Sequence, residues 1–177
     1  MALCGNPGDV PHALDLLNAS YATPAAAAAR ARLGADPAIA PLIAERYWGS
    51  WPDLASLAQL PEGSLGHAYG HLLVDQGLEP LPAPVLPPDA DGDTTYLQQR
   101  IRRCHDVWHA IAGCPTTLAG EAAMNGLTTE QLRWPGSALL LAADLIHRVH
   151  DDLDPPGPAT VDVGRAIAYG LELGACT

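Results

Sequence analysis

The fold and the chemistry of this chain depend on one stretch, Cys104-His105-Asp106-Val107-Trp108-His109, which Glu121 follows twelve positions after His109. Because an α-helix turns about 100° per residue, His105, Asp106 and His109 project into one arc about 100° wide. Glu121 can approach this arc from the next element. Imidazole and carboxylate groups together suit zinc, iron(II) or manganese. The spacing therefore predicts a divalent-metal site, and a buried polar cluster or a solvated helix face is the alternative interpretation.

The helix that carries this stretch is predicted to have Thr94 or Thr95 as its N-cap and to end near Ala112. Apolar side chains follow the i, i+4, i+7, i+11, i+14 spacing of a buried stripe, namely Leu97, Ile101, Cys104, Trp108 and Ile111. The metal-capable face borders this stripe. We therefore expect the ligands at the edge of the core, beside a pocket that excludes water.

Helical patterns recur along the chain, and no stretch alternates Val, Ile or Thr as a strand would. We predict an all-α fold, a single-domain multi-helix bundle over residues 1–177. Residues 118–125 and 127–134 predict two separate helices. Residues 1–11, rich in Gly and Pro, are expected to form a loose arm. The Pro-rich loop 79–93 is expected to act either as a lid or as a spacer.

The charge balance excludes one class of partner. The net charge is −11, and all nine basic residues are Arg. A nucleic-acid surface needs clustered Lys and Arg, so no nucleic acid is expected as a partner. Bulk attraction to anionic lipid is disfavoured, although an apolar patch could make peripheral membrane contact. No run reaches the roughly 18 apolar residues of a transmembrane segment.

The cysteines and the first residues bear on cellular location. The four cysteines are scattered and form no CxxC pair, unlike a secreted disulfide framework. Residues 1–11 lack the basic start and apolar run of a signal peptide. Both features favour a reducing cytosol, so we expect a cytoplasmic protein.

Two further histidines, His67 and His71, also stand at i, i+4. We expect them to line the same pocket, where they could act as general acid and base. Hydrogen-bonded core histidines and an independent metal site are the alternatives.

Four other residues are candidates for substrate binding. Arg100 and Arg103 precede the metal-like motif and are expected to orient an anionic substrate group, or else to form surface salt bridges. Tyr69 and Trp108 are the aromatic candidates. Cys104 is expected to pack in the core rather than to act as a nucleophile.

One known family has the same spacing of histidines and carboxylates. Residues 105–121 resemble the HDxxH-x11-E motif of the Coq4 family of ubiquinone biosynthesis proteins. Residues 60–69 resemble its LPEGT-G-AY segment, residues 99–106 its QRxRxCHD segment, and residues 113–116 its G-PT turn. The resemblance extends over about residues 40–170.

The resemblance implies an all-α fold and a divalent metal, usually zinc (Zn2+), held by His105, Asp106, His109 and Glu121. It also implies an apolar groove for an isoprenoid-type lipid, peripheral contact with membranes, and association with other biosynthetic proteins. Family members are assigned the removal of a carboxyl group from the ring of the quinone precursor, coupled to hydroxylation there, as well as a scaffolding role.

Two functions follow from these observations. The first is a metal-dependent enzyme, a lyase or oxidative decarboxylase, that acts on an aromatic or prenylated acid in quinone or specialised metabolite biosynthesis. The second is a non-catalytic lipid-binding or scaffold protein with a structural metal. The chain departs from the family pattern at His67 and His71 and in its shorter, acidic loop, which favours a diverged homologue with a different substrate. A homodimer is also compatible with the sequence.

Overall fold

The computed structural model describes residues 10–50, 53–79, 84–85, 88–151 and 163–176. Within these ranges the chain forms helices and no strand: α1 (Val10–Ser20), α2 (Pro24–Ala35), α3 (Ala40–Glu45), α4 (Leu54–Ala58), α5 (Leu65–Val74), α6 (Gly92–Ala112), α7 (Leu118–Leu132), α8 (Pro135–Asp151) and α9 (Val163–Cys176). The predicted all-α class is confirmed. None of these helices is both long enough and apolar enough to cross a membrane.

The two segments predicted as irregular are described only in part. Residues 1–9 of the expected loose arm lie outside the described residues, whereas Val10 begins α1. In the Pro-rich segment 79–93, the backbone N–H of Val85 donates to Oδ1 of Asn18 on α1 at 3.3 Å. Val85 therefore lies against α1.

The long helix α6 begins earlier than predicted. The Asp91 carboxylate accepts hydrogen bonds from the Thr94 backbone N–H at 2.7 Å and from its hydroxyl at 3.0 Å, so Asp91 is the N-cap. Thr94 and Thr95 lie inside the helix, because the Asp91 side chain already caps the free N–H group of the first turn. The helix ends at Ala112 as predicted, since Gly113 adopts the left-handed conformation with φ of 64°.

The predicted apolar stripe is not the face of α6 that points inward. Of its five residues Leu97 is buried, but Ile101, Cys104 and Trp108 are only half-buried, and Ile111 is 64% exposed. The stripe instead lies to one side of the buried face.

The inward face of α6 is largely polar. Gln98, Arg102 and His109 are 1%, 5% and 0% exposed, and the half-buried His105 completes the same row. Their i, i+4, i+7, i+11 spacing places them within an arc about 60° wide. Burial of polar groups is costly unless they have partners. This row of buried polar side chains is therefore the part of α6 where a functional site is expected.

Helix α7 runs without the break predicted near residue 126. Gly126 stands inside it, and a Cβ there would lie 3.0 Å from the Ile167 carbonyl oxygen of α9. A Cβ at Gly170 would likewise collide with the backbone of Ala123. Glycine at these positions permits two helices to approach closely rather than ending one.

Candidate metal centre

Three side chains on α6 and α7 bring their ligand atoms together. Nε2 of His105 lies 3.1 Å from Oε2 of Glu121, Nε2 of His109 lies 3.3 Å from Oε1 of Glu121, and the two Nε2 atoms are 3.2 Å apart. Ligand atoms bonded to a zinc ion at about 2.0–2.1 Å in tetrahedral geometry would be about 3.3–3.4 Å apart. These His, His and Glu groups could hold a metal ion, and their spacing is close to that of such a site.

The orientation of His109 is fixed by the end of its own helix. Gly113 turns the chain so that the Cys114 N–H donates to the His109 carbonyl at 3.0 Å. The Cys114 carbonyl in turn accepts from Nδ1 of the fully buried His109 ring at 3.1 Å. Because a carbonyl can only accept, Nδ1 carries a proton, and a neutral His109 presents its Nε2 lone pair to Glu121. Two electron-rich groups at this distance need a cation between them, either a proton or a metal ion.

Glu121 is placed by the first turn of α7. The Thr117 hydroxyl caps this helix by accepting from the Gly120 N–H at 3.3 Å. Gly120 lies so close to Pro115 that a Cβ would collide with the proline carbonyl oxygen. The residue before the glutamate must therefore be glycine for the carboxylate to reach α6.

The contacts within this group shift the pKa values of Glu121 and His109. Burial acts to raise the pKa of Glu121, but hydrogen bonds and charge from His105 and His109 outweigh it and hold that pKa well below its usual range. Burial acts to lower the pKa of His109, yet its contacts with Glu121 and the Cys114 carbonyl leave it raised. Both shifts favour a positive charge among these atoms, which a divalent metal would supply.

Asp106 is the predicted ligand that lies outside this group of three. It follows His105 on the helix, so its side chain points about 100° away. It lines the adjacent cavity, and burial raises its pKa, with the Glu121 charge acting in the same direction. The geometry thus supports three ligands, with Asp106 beside them.

A cavity of about 430 Å³ lies against this group. His105, Asp106, Glu121 and Trp108 form part of its wall, and Asp144 approaches from α8. Most of the remaining wall is apolar and comes from α1, α5, α7, α8 and the segment after α5, including Leu14, Leu17, Leu73, Leu78, Leu118, Leu140 and Ala143. A cavity of this size and lining is typical of a small-molecule site.

The predicted acid and base, His67 and His71, lie outside the cavity wall, which corrects the expectation that they line the pocket. Nδ1 of His67 donates to the Leu60 carbonyl at 2.9 Å, and Nδ1 of His71 contacts the Asp75 carboxylate at 3.0 Å. The centroids of the two half-buried rings are 4.3 Å apart, and the ring planes are tilted by 47°. The two histidines share one face of α5 as their spacing predicts, but this face is not part of the cavity wall.

Three of the four predicted substrate-binding residues also lie elsewhere. Arg100 donates to the Tyr47 carbonyl at 2.9 Å, and the Arg103 guanidinium lies 5.0 Å above the Trp48 ring. Tyr69 is buried in a core cluster with Leu57 and Leu73. Trp108 alone of the four lines the cavity. Both arginines point away because they lie on the side of α6 roughly opposite the inward arc, about 130–180° from its centre.

Sequence analysis missed three charged residues of the wall, Glu79, Arg102 and Asp144. Arg102 is detectable afterwards from its place in the row of residues 98, 102, 105 and 109. Asp144 is 8% exposed, and burial raises its pKa to about 6, with the Glu121 charge adding to that effect. Its only sequence signal is a carboxylate inside an otherwise apolar helix.

The fold and the site define a helical protein whose buried His–His–Glu group adjoins an apolar cavity. The family model described as coenzyme Q (ubiquinone) biosynthesis protein Coq4 matches residues 19–150. The chain belongs to the Coq4 family, which confirms the resemblance seen in its motifs.

Relatives and a solved structure agree with this assignment. The ubiquinone biosynthesis protein COQ4 of Eremothecium gossypii is 40% identical over 88 residues, 49% of this chain and 27% of that protein. Its counterpart in Talaromyces stipitatus is 36% identical over 90 residues, 51% and 31% of the two chains. The match thus spans less than a third of either relative. A crystal structure from Nostoc punctiforme, described as a candidate ubiquinone biosynthesis protein, superposes with a TM-score of 0.75 at 28% identity, covering 95% of this chain and 76% of that one.

The expectation of a cytoplasmic protein is contradicted by these comparisons. The relatives from E. gossypii, T. stipitatus and Meyerozyma guilliermondii are all named as mitochondrial. Scattered cysteines and the composition of residues 1–11 do not distinguish one reducing compartment from another, which is why the prediction failed.

Proposed function

We propose that this chain is a metal-dependent enzyme that removes a ring carboxyl group from an aromatic or prenylated acid in quinone or related biosynthesis. One observation carries the proposal: His105, His109 and Glu121 bring one ligand atom each to within 4.8 Å of one another beside a largely apolar cavity. Two histidines and a glutamate form the ligand set of catalytic zinc sites that keep one position open. Zinc is therefore the proposed ion, held by His105, His109 and Glu121.

A bound divalent ion would supply Lewis acidity at the open position, toward a carboxylate or phenolate oxygen. The Cys114 carbonyl and the capped start of α7 hold His109 and Glu121 in place for this task. The leucines of the wall exclude water and leave room for an aromatic ring or a prenyl chain.

Decarboxylation breaks the bond between a ring carbon and the carboxyl carbon, and its electron pair stays on the ring. When carbon dioxide leaves, a proton must reach that ring carbon. Asp144 is the group we assign to this step, because its carboxyl lines the cavity and burial raises its pKa to about 6. It takes the acid role that the sequence analysis gave to His67 and His71.

A second function is favoured by the position of the metal group between two helices. A metal there would join the end of α6 to the start of α7, and the cavity beside it would hold a lipid. In this case the protein would act as a lipid-binding scaffold for other biosynthetic proteins and would catalyse nothing.

The two functions are separated by measuring metal content and turnover on one preparation. Elemental analysis of the purified chain should give about one zinc, and carboxyl-13C-labelled 3-prenyl-4-hydroxybenzoate should release labelled carbon dioxide. Asp144→Asn should retain the metal and lose the release, whereas Asp89→Asn, an exposed carboxylate in the Pro-rich segment, should retain both. A metal-replete protein that releases no label, and whose melting temperature falls sharply with chelator, would establish the scaffold instead.

A further inference from the structure

Arg102 places a fixed positive charge in the cavity that the metal group does not use. It is 5% exposed and belongs to the cavity wall. Its guanidinium donates to the Tyr21 hydroxyl at 3.1 Å and to Oδ1 of Asn18 at 3.5 Å, both on or just after α1. These contacts fix the orientation of the side chain before any ligand arrives.

Its position on α6 sets its distance from the metal group. Arg102 precedes His105 by one turn in the same inward row, so the two residues are about 4.5 Å apart along the helix axis, and Arg102 and His109 about 10.5 Å. The distance along the axis from Arg102 to His109 is comparable with the length of a substituted benzene ring. A ligand could therefore contact Arg102 with one substituent and the metal group with another.

The chemistry of a buried guanidinium favours one kind of ligand group. Its planar fork of N–H donors matches a carboxylate in a bidentate manner, and such charge-assisted hydrogen bonds are stronger than neutral ones. A ligand carboxylate would replace the long contact with Asn18 at little cost, because 3.5 Å is near the limit of a hydrogen bond.

The wall also contains four carboxyl groups, on Glu79, Asp106, Glu121 and Asp144, so a ligand carboxylate needs a positive charge that offsets them. Glu121 faces the two histidines at contact distance, and a bound metal would offset its charge. Among the described residues of the wall, Arg102 is the one Arg or Lys.

We propose that Arg102 is the anion subsite of this cavity and selects ligands with a carboxylate on an aromatic or other apolar body. The inference rests on the proposed function, since it names how the same cavity recognises its acid. It differs in one respect: the carboxylate lies against Arg102, and the opposite end of the ligand faces the metal group.

A matched pair of probes tests the subsite. 4-Butoxybenzoate and 4-butoxybenzamide have nearly the same shape and differ in charge, and binding of each is measured by calorimetry on metal-stripped and on zinc-loaded protein. We expect the acid to bind at least about tenfold more tightly than the amide in both forms. Arg102→Met should bring the two affinities within about twofold of each other, while Arg103→Met, whose guanidinium lies over Trp48, should keep the preference.

Three outcomes would overturn the proposal. The first is equal affinity for acid and amide in the wild-type protein, which decides the matter even if Arg102→Met does not fold. The second is a full preference in a folded Arg102→Met variant, which has lost the positive charge. The third is a preference that disappears on zinc removal, which would place the carboxylate at the metal. That last result would support the proposed function and refute the role of Arg102. A protein that binds no metal but prefers the acid would instead support the role of Arg102 and refute the proposed function.

Discussion

His109 and Cys114 are joined by a hydrogen bond that crosses the end of α6, from the ring Nδ1 to the backbone carbonyl at 3.1 Å. The bond makes the orientation of a metal-capable ring depend on the backbone that follows its helix. Gly113, in the left-handed conformation, is the residue that bends the chain into position. Stability and metal affinity should therefore change together when this turn is altered.

Gly113→Ala tests that dependence. Nothing lies within 4 Å of a Cβ at this position, so the cost is conformational and should be about 1–2 kcal/mol. We expect a melting temperature lower by a few degrees and weaker zinc binding, because the Cys114 carbonyl moves. Gly34→Ala is the matched control, since Gly34 also has open space around it but lies within α2. It should stabilise the protein slightly and leave zinc affinity unchanged. Unchanged affinity in a destabilised Gly113→Ala would show that the ring does not need this bond.

Gly120→Ala tests the placement of Glu121. A methyl group would collide with the Pro115 carbonyl, so α7 must shift at the point where the carboxylate leaves it. We expect a loss of stability of about 1–3 kcal/mol and at least a tenfold loss of zinc affinity by competitive chelator titration. Gly170→Ala collides with the Ala123 backbone instead. Gly170→Ala should lower the free energy of unfolding by a comparable amount. Zinc affinity should change much less, because the contact between Gly170 and Ala123 includes no metal ligand.

The pH dependence of stability should reveal Asp144. Burial raises its pKa from 3.8 to about 6, so the folded protein binds this proton more tightly than the unfolded chain does. The burial penalty is thus absent below pH 3.8, grows as the pH rises toward 6, and is complete above it. Asp144→Asn should raise the free energy of unfolding at pH 8 by up to about 3 kcal/mol and change it little near pH 4. Urea unfolding at the two pH values measures this; an equal effect at both would mean that Asp144 is not buried in its charged form.

Metal removal should distinguish the three-residue group from the four predicted ligands. Chelator should lower the melting temperature of the wild-type protein, because a metal that binds only the folded state stabilises it. Glu121→Gln should abolish most of this effect. Asp106→Asn should weaken zinc binding less than Glu121→Gln does, since Asp106 lies outside the group of three. If Asp106→Asn lost zinc as fully as Glu121→Gln, the set of four would be correct.

Local geometry explains which residues could be predicted. The spacing of His105 and His109 places them on one helix face whatever surrounds that helix, and the structure brings their Nε2 atoms together. The helical class follows in the same way from patterns that repeat within a few turns. The cap at Asp91 was missed by a few residues because three successive candidates, Asp91, Asp93 and Thr94, compete for the same N–H groups.

Tertiary contacts explain what could not be predicted. Three arginines stand within four positions, and only packing decides that Arg102 points inward while Arg100 and Arg103 do not. The contact that does so joins Arg102 to Tyr21, 81 positions earlier in the chain. The prediction of a break near Gly126 was wrong for a similar reason. That glycine permits the close approach of α9 and does not end its own helix.

The first helix has a consequence for how this protein differs from others of its kind. Ala13, Leu14 and Leu17 of α1 form part of the cavity wall, yet the family match begins only at residue 19. One end of the cavity is therefore built by residues that precede the stretch matched by the family model. Substitutions at Ala13, Leu14 and Leu17 should therefore change the length or shape of the molecule that the cavity accepts without altering metal binding.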